Sequence, residues 1–205
     1  FLASKQKSNA ALFSTYDSES GTSRIFLTPE AVEYAKHRLE LYGLKAKDIK
    51  VADAENLPFE NDFFEIVYSW GVIHHSPDTA KAMKEIIRVL KPGGKAKIMI
   101  YNRKSILAYF FWIKHALLKL KWNQSVQDVL WNKMESFGTK GYTINEVKQL
   151  LQNESIKDLE VKTVITYYDK LKKFNKVMQF FAKIMLAFMD RKKAGWFLTI
   201  EFTKG

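Results

Sequence analysis

The first half of the chain alternates between segments with helix signals and segments with strand patterns. Residues 28–43 predict a helix, with Thr28 as N-cap, Pro29 at the first helical position and Gly43 just past the end. This order of strands and helices, with short connections, predicts a parallel α/β sheet. The other predicted elements are strands at 48–52, 63–69 and 96–101, a helix from 76–78 to about Leu90, and a turn at 91–94.

The second half has longer helical segments and fewer strands. Thr143 and Glu146 form the pattern of a capping box at the start of a predicted helix. A strand, a long excursion and a final strand predict an antiparallel hairpin at the sheet edge. The predicted helices are 105–122, 125–136, 143–152 and 170–193, and the strands are 159–167 and 195–203.

Composition narrows the class of protein. The 205 residues are 47% hydrophobic and 27% charged, which indicates one globular domain and excludes collagen-like and wholly disordered chains. With no cysteine, disulfide frameworks, thiolate zinc sites and cysteine nucleophiles are excluded. No apolar run reaches the length of a membrane span and no secretory signal is visible, so we expect a cytoplasmic protein.

The basic charge is concentrated in the second half of the chain. Residues 1–100 carry 14 Lys and Arg against 13 Asp and Glu, whereas residues 101–205 carry 19 against 9. The formal net charge of +11 therefore comes almost entirely from the second half. An anionic partner is expected there, and a membrane surface fits better than nucleic acid, since no nucleic-acid-binding motif is present.

Three motifs occur in order in the first half: VADAENLPF at 51–59, FFEIVYSWGVIHHSPD at 63–78 and EIIRVLKPGG at 85–94. Together they resemble class I S-adenosylmethionine-dependent methyltransferases, in particular the small-molecule group that includes quinone-biosynthesis enzymes. The resemblance implies a Rossmann-like α/β sheet, here with helical elaborations at 103–156 and 170–193. It also implies S-adenosylmethionine as cofactor and methyl transfer to a small-molecule or lipid-like acceptor.

The resemblance also implies which residues lie at the cofactor. Asp53 would accept a hydrogen bond from the adenine amino group, and the segment 69–71 would lie along the methionine part and the sulfonium. Two structural alternatives stay open, since Asp53 could cap a turn and Trp70 could belong to the core. The implied cofactor residues are Leu27, Asp53, Ala54, Glu55, Ser69, Trp70 and Gly71.

His74 and His75 are candidates for a general base, because the pKa of histidine lies near neutrality. The alternative is that each orders its loop through backbone hydrogen bonds. Adjacent side chains diverge and no second His, Asp or Glu cluster accompanies them, so no metal site is predicted. Methyl transfer from a sulfonium is a direct displacement that alignment alone can promote.

The start of the chain departs from the family pattern. Residues 1–20 contain no glycine, although the family has a Gly-rich turn after its first strand, and Phe26 stands where the family has a ribose-binding acid. Phenylalanine cannot accept those hydrogen bonds. We therefore expect residues 1–24 to be an atypical segment with the native first strand absent or altered, residues 25–205 to form the methyltransferase-type domain, and S-adenosylmethionine to bind weakly.

Two amphipathic basic segments leave the function open. Residues 103–122 and 170–193 interleave apolar residues with Lys and Arg, so each could cover an acceptor pocket, lie on an anionic membrane or simply pack on the core. The leading interpretation is a methyltransferase, with peripheral membrane contact as a further hypothesis. The alternatives are a non-catalytic relative that has lost the cofactor loop and, more distantly, a dinucleotide oxidoreductase.

Overall fold

The structure, a computed structural model, describes residues 12–17, 21–26, 28–134, 137–172, 174 and 176–205. The chain divides into two compact units. The first holds the chain up to Ile98 together with Asn153–Glu160 and Ile200–Gly205, and the second holds Met99–Gln152 and Val161–Thr199. The predicted boundary at residue 24 separates an atypical segment from a segment that resembles the family. It does not describe how the chain packs, so it stays a prediction.

The described residues form eight strands and six α-helices. The strands are β1 (Leu12–Asp17), β2 (Gly21–Phe26), β3 (Asp48–Val51), β4 (Phe64–Trp70), β5 (Leu90–Asn102), β6 (Gly141–Tyr142), β7 (Ile156–Val164) and β8 (Phe197–Lys204). The helices are α1 (Pro29–Leu41), α2 (Thr79–Val89), α3 (Ile106–His115), α4 (Val126–Lys133), α5 (Ile144–Leu151) and α6 (Lys176–Phe188). Short 3₁₀ turns cover Ile73–His75 and Leu117–Lys119.

The described strands form a sheet with the order β3-β2-β1-β4-β5-β8-β7, of which β1 to β4 lie wholly in the first unit. Strands β2 and β3 are parallel, and β1 is antiparallel to both β2 and β4, so β2, β3 and β4 share one direction. The predicted parallel sheet is therefore wrong for β1. A strand occupies the position between β2 and β4 and runs antiparallel to both, so the expected first strand is altered rather than absent. Only three residues separate Asp17 from Gly21, too few for the crossover that a parallel pair requires.

Local signals fix the helix starts of the first unit as predicted. The Thr28 hydroxyl accepts a hydrogen bond from Ala31 N at 3.3 Å, and the Asp78 carboxylate accepts one from Lys81 N at 3.0 Å. These side chains satisfy N–H groups that the first turn of a helix leaves without partners. Helix α2 then buries one face against the sheet, and its fully buried residues include Ala82, Met83, Ile86 and Val89.

Lys91–Gly94 was predicted to be a turn, and this is wrong, because β5 runs through it. Gly93 has a φ of +78°, which favours glycine. A Cβ on Gly94 would lie 2.8 Å from the Lys91 carbonyl oxygen and 3.1 Å from that of Glu65. The absence of a side chain at Gly94 therefore lets β5 approach the backbone of β4. The residues at 91–94 are typical of a turn, so the sequence alone does not reveal this close approach.

The second unit packs helices α3, α4 and α6 around one apolar core. Tyr101 of β5 and Trp196 stack at 4.2 Å between ring centroids, and Phe110 of α3 lies 4.8 Å from the Phe174 ring. The predicted capping box of α5 is confirmed, since the Glu146 carboxylate accepts a 2.8 Å hydrogen bond from Thr143 N. Strand β6 pairs in parallel with the end of β5.

Two predicted helices are shorter than expected. The helix predicted at 105–122 ends at His115 and continues only as a 3₁₀ turn, after which Leu120 adopts a left-handed φ of +54°. The helix predicted at 170–193 covers only Lys176–Phe188. Within the described part of the chain, no helix has the length and hydropathy needed to cross a membrane.

Candidate functional site

The carboxyl ends of β2, β3 and β4 meet at one edge of the first unit's sheet, which we call the carboxyl edge. This follows from their shared direction. Asp53 lies just beyond β3, and Trp70 is the last residue of β4. Two strands, β2 and β1, separate them, so three inter-strand steps put them roughly 14 Å apart across the sheet. Both lie at this edge, where open α/β sheets bind ligands.

The Asp53 side chain is exposed and shapes its own loop. Its Oδ1 accepts a hydrogen bond of 2.9 Å from Glu55 N, and its carbonyl oxygen accepts one of 3.1 Å from Asn56 N. The Asp53 side chain therefore caps a turn, which is the structural alternative left open by the sequence, and it does so through its Oδ1 atom. Ala54 is buried with 8% exposure, which anchors the loop between two exposed or half-buried acids.

Glu55 joins this loop to the start of α2. Its Oε1 accepts a hydrogen bond of 2.7 Å from Asp78 N, at the residue that caps the helix. A carboxylate beside a helix N-terminus is favoured by the positive end of the helix dipole. The resemblance placed Glu55 at the cofactor, whereas its side chain is occupied in holding two loops of the carboxyl edge together.

Glu85 and Arg88 hold the next stretch of this loop, and sequence reasoning missed both. Glu85 accepts a 2.8 Å hydrogen bond from Leu57 N, while Arg88 donates to the carbonyl oxygens of Leu57 at 3.0 Å and Phe59 at 2.8 Å. The Arg88 guanidinium, bonded to Glu85, lowers the pKa of that carboxyl. Their i,i+3 spacing on α2 was the available signal, but nothing in the sequence shows which loop they contact.

The segment after β4 combines a buried hydroxyl with an exposed ring. Ser69 is fully buried, and its Oγ has no hydrogen-bond partner within the described residues. Trp70 is 37% exposed and stacks at 5.6 Å on Tyr68, so it is not an ordinary core residue. Gly71 follows with a φ of +72°, a conformation that suits glycine and turns the chain away from the strand.

His74 and His75 lie on the 3₁₀ turn that follows. Their ring centroids are 4.0 Å apart, and the Thr79 hydroxyl fixes the turn by donating a 3.0 Å hydrogen bond to the Ile73 carbonyl oxygen. His74 is fully buried. Burial, with a smaller contribution from His75, holds the pKa of His74 well below its ordinary value, so its imidazole is neutral at pH 7. Among the described residues, no group of three His, Asp or Glu side chains is placed to hold a metal ion.

The carboxyl edge fits S-adenosylmethionine only in part. The segments after β3 and β4 offer an exposed carboxylate and an exposed aromatic ring. Because β1 runs antiparallel to β4, its first residue, Leu12, pairs with Trp70 and lies at the carboxyl edge. The last residue of β1 therefore lies at the opposite edge, so β1 does not turn into a helix at the carboxyl edge. Strand β2 ends at Phe26, which offers no side-chain acceptor. Leu27 lies outside the described residues, so its predicted role stays a prediction.

The second unit contains a cavity of about 360 Å³. Lys133 and Lys172 are the charged residues of its lining. Such a wall suits an apolar or aromatic molecule that carries an anionic or polar group. The aromatic lining residues are Tyr101, Phe111, Tyr167, Tyr168, Phe174, Trp196 and Phe197.

A buried carboxylate fixes one wall of this cavity. Asp169 is fully buried, and its Oδ2 accepts hydrogen bonds from Thr166 N at 2.8 Å and Trp196 N at 2.9 Å. Burial raises the pKa of Asp169 above its ordinary value. These two hydrogen bonds connect the segment 166–169 to Trp196. We therefore attribute the positions of the lining residues Tyr168 and Trp196 to Asp169. Its neighbours come from distant parts of the sequence, so no local pattern indicated its role.

Comparison with known proteins finds similarity to methyltransferases. A family model described as a methyltransferase domain matches residues 19–98. The chain is 30% identical over 138 residues to a chloroplastic tocopherol O-methyltransferase of Arabidopsis thaliana, which covers 66% of this chain and 37% of that protein. It is 27% identical over 134 residues to a demethylmenaquinone methyltransferase of Bacillus cereus, over 62% of this chain and 55% of that protein. The chain thus spans less than two thirds of the length of these relatives.

Solved structures show the same fold. A Thermotoga maritima S-adenosylmethionine-dependent methyltransferase, a possible histamine N-methyltransferase, matches with a TM-score of 0.57 at 20% identity, covering 88% of this chain and 72% of that one. A Haemonchus contortus phosphoethanolamine N-methyltransferase 2, solved with S-adenosyl-L-methionine, matches with a TM-score of 0.57 at 19% identity, over 89% and 43% of the two chains. The predicted α/β fold is confirmed. The chain is thus similar to methyltransferases in the sequence of residues 19–98, and its fold is similar to that of S-adenosylmethionine-dependent methyltransferases of known structure.

Proposed function

We propose that the protein transfers a methyl group from S-adenosylmethionine to an apolar small-molecule or lipid-like acceptor. The observation that carries the acceptor class is the aromatic cavity of about 360 Å³ in the second unit. Similarity to methyltransferases carries the reaction and favours the enzyme over the non-catalytic alternative. Two relatives named for a tocopherol and for demethylmenaquinone support an acceptor of this class.

In this proposal the carboxyl edge holds the cofactor. The exposed Asp53 carboxylate accepts a hydrogen bond from the adenine amino group, and Ala54 and Glu55 offer backbone groups beside it. Ser69 and Gly71 lie along the methionine part, and the exposed ring of Trp70 offers its face to the sulfonium, a favourable partner for a cation. When bound, the cofactor supplies an electrophilic methyl group.

The cavity orients the acceptor and excludes water from it. Tyr101 and Trp196, stacked at 4.2 Å, provide a flat apolar wall, and Lys133 and Lys172 attract a phenolate, carboxylate or phosphate group of the acceptor. Alignment and desolvation accelerate a direct displacement without a covalent enzyme intermediate. His74, neutral at pH 7, or His75 would take the acceptor proton if a base is used.

Transfer of labelled methyl groups tests this function. The protein is incubated with methyl-labelled S-adenosylmethionine and a panel of phenols, hydroquinones and fatty acids, and the label is followed into the organic phase. Tyr167→Ser, which alters a cavity residue that is 48% exposed, is expected to reduce transfer roughly tenfold. Trp122→Ser, at a 69% exposed ring of the same unit outside the cavity lining, is the matched control.

The results separate reaction from acceptor class. The reaction and the acceptor class are both supported if label enters an apolar acceptor and if that label decreases in the Tyr167→Ser variant but not in the Trp122→Ser variant. Label in RNA or protein instead would contradict the acceptor class. No transfer to any acceptor by protein that binds the cofactor in calorimetry would contradict the catalytic proposal.

A further inference from the structure

Helix α6 is apolar on two opposite faces. Its inner face packs on the core of the second unit through Met178, Ala182 and Met185, of which Ala182 is 1% exposed. Its outer face carries Phe180, Ile184 and Phe188, which are 65%, 41% and 87% exposed. A spacing of four residues places these three side chains in one stripe along the helix, which we call the outer stripe.

The outer stripe is unusual for a helix at a protein surface. An amphipathic helix in a globular domain normally presents polar residues to water, and a helix that is apolar all round is normally buried. Contiguous exposed apolar patches mark surfaces that bind a partner or a membrane. The sequence of 170–193 does not separate inner from outer apolar positions, and the packing of Ala182 shows which side chains of α6 remain outside.

The charges around the outer stripe indicate the chemistry of its partner. Lys176 and Lys183 lie on the exposed side of α6, and the helix contains no Asp or Glu. Residues 170–193 carry eight Lys and Arg against one acid, Asp190. Asp190 itself lies 3.5 Å from the Lys193 ammonium. A short apolar stripe with lysines along one side and basic residues beyond its carboxyl end complements an anionic lipid surface.

We propose that α6 docks this protein on anionic phospholipid membranes, with the outer stripe at the boundary of headgroups and acyl chains. Lys176, Lys183 and the basic residues 191–193 contact the phosphate groups. The helix has 13 residues, about 20 Å, and lies in the plane of the surface rather than crossing it. The proposal deepens the lipid-like acceptor class proposed above, and its evidence is independent of methyl transfer.

Vesicle co-sedimentation of the full chain tests the proposal without any activity. Vesicles of equal parts phosphatidylglycerol and phosphatidylcholine are compared with phosphatidylcholine alone, at low and high salt. We expect binding to the anionic vesicles only, weakened by salt. The double variant Phe180→Ser/Phe188→Ser is expected to bind at least about tenfold more weakly. Both side chains are exposed, and a circular dichroism spectrum checks that the variant is folded.

Two controls make the result specific. Tyr34→Ser removes a ring that is 70% exposed on α1 and is expected to leave binding unchanged. Lys176→Gln/Lys183→Gln is expected to remove part of the salt dependence. No binding of the wild type, or binding unaffected by loss of both phenylalanines, would overturn the proposal. So would a wild-type dimer that the phenylalanine variant converts to a monomer in light scattering, because the stripe would then join two copies of the chain.

Discussion

The Oε1 atom of Glu55 accepts a 2.7 Å hydrogen bond from the backbone N–H of Asp78. This contact spans 23 residues and links the loop after β3 to the cap of α2. The loop that the resemblance places at the adenine is thereby held to the start of α2 by a side chain. The order of the carboxyl edge therefore depends on a carboxylate that need not touch a ligand.

Replacement of Glu55 by alanine is expected to destabilise the protein by about 1 kcal/mol, the usual net value of such a hydrogen bond. Glu55→Gln retains a side-chain oxygen and should lose less than half of that. Urea denaturation measures both, with Glu60→Ala in the same loop region as a control at an exposed acid. Equal losses in the alanine and glutamine variants would show that the carboxylate charge, not the acceptor, matters.

His74 is expected to make stability fall in mild acid. Its pKa is lowered in the folded protein, so below about pH 6.5 the unfolded chain binds a proton that the native protein does not. Stability is then lost at up to about 1 kcal/mol per pH unit as the pH falls toward the native pKa. His74→Leu should flatten the profile of melting temperature against pH, while His75→Ala should not. A profile unchanged by His74→Leu would assign the effect to other groups.

The same histidine variants test catalysis. If either residue is the general base, its alanine variant should lose about a hundredfold or more in turnover while retaining cofactor affinity. A purely structural His74 would instead reduce stability and activity together. Full turnover in both alanine variants would end the general-base hypothesis.

Asp169→Ala is expected to cost roughly 2 to 3 kcal/mol, because Trp196 N and Thr166 N lose their buried acceptor. Asp169→Asn keeps an acceptor and should cost less. Since burial raises the pKa of Asp169, the native protein retains a proton that the unfolded chain releases above about pH 3.9. Its contribution is thus largest at low pH and declines as pH rises through the native pKa. Denaturation at several pH values should show this decline in the wild type and not in Asp169→Asn.

Phe26→Asp should raise the affinity for S-adenosylmethionine about tenfold from a weak starting value, because a carboxylate at the end of β2 can accept bonds from ribose hydroxyls. Calorimetry measures both proteins, and Phe26→Leu, which adds no acceptor, is the control. Micromolar affinity in the unaltered chain would contradict the expected weak binding. It would also show that the reversed β1 does not prevent cofactor binding.

The sequence by itself determined the features that depend on near neighbours. Thr28, Asp78 and the pair Thr143 and Glu146 cap helices as predicted, because a capping side chain reaches only N–H groups two or three residues away. The three motifs likewise gave the resemblance to methyltransferases, since each is a short run of consecutive residues.

Tertiary structure decided the direction of β1, the continuity of β5 through Gly94 and the exposed face of α6. It also decided that Glu55 meets Asp78 and that Asp169 meets Trp196. Each of these features depends on contacts between residues that are far apart in the sequence. Such contacts produce no periodic pattern of hydrophobic and polar residues, so the sequence does not predict them. The candidate cofactor residues stay a prediction from the motifs, whereas the side chains that hold their loops became visible only in the structure.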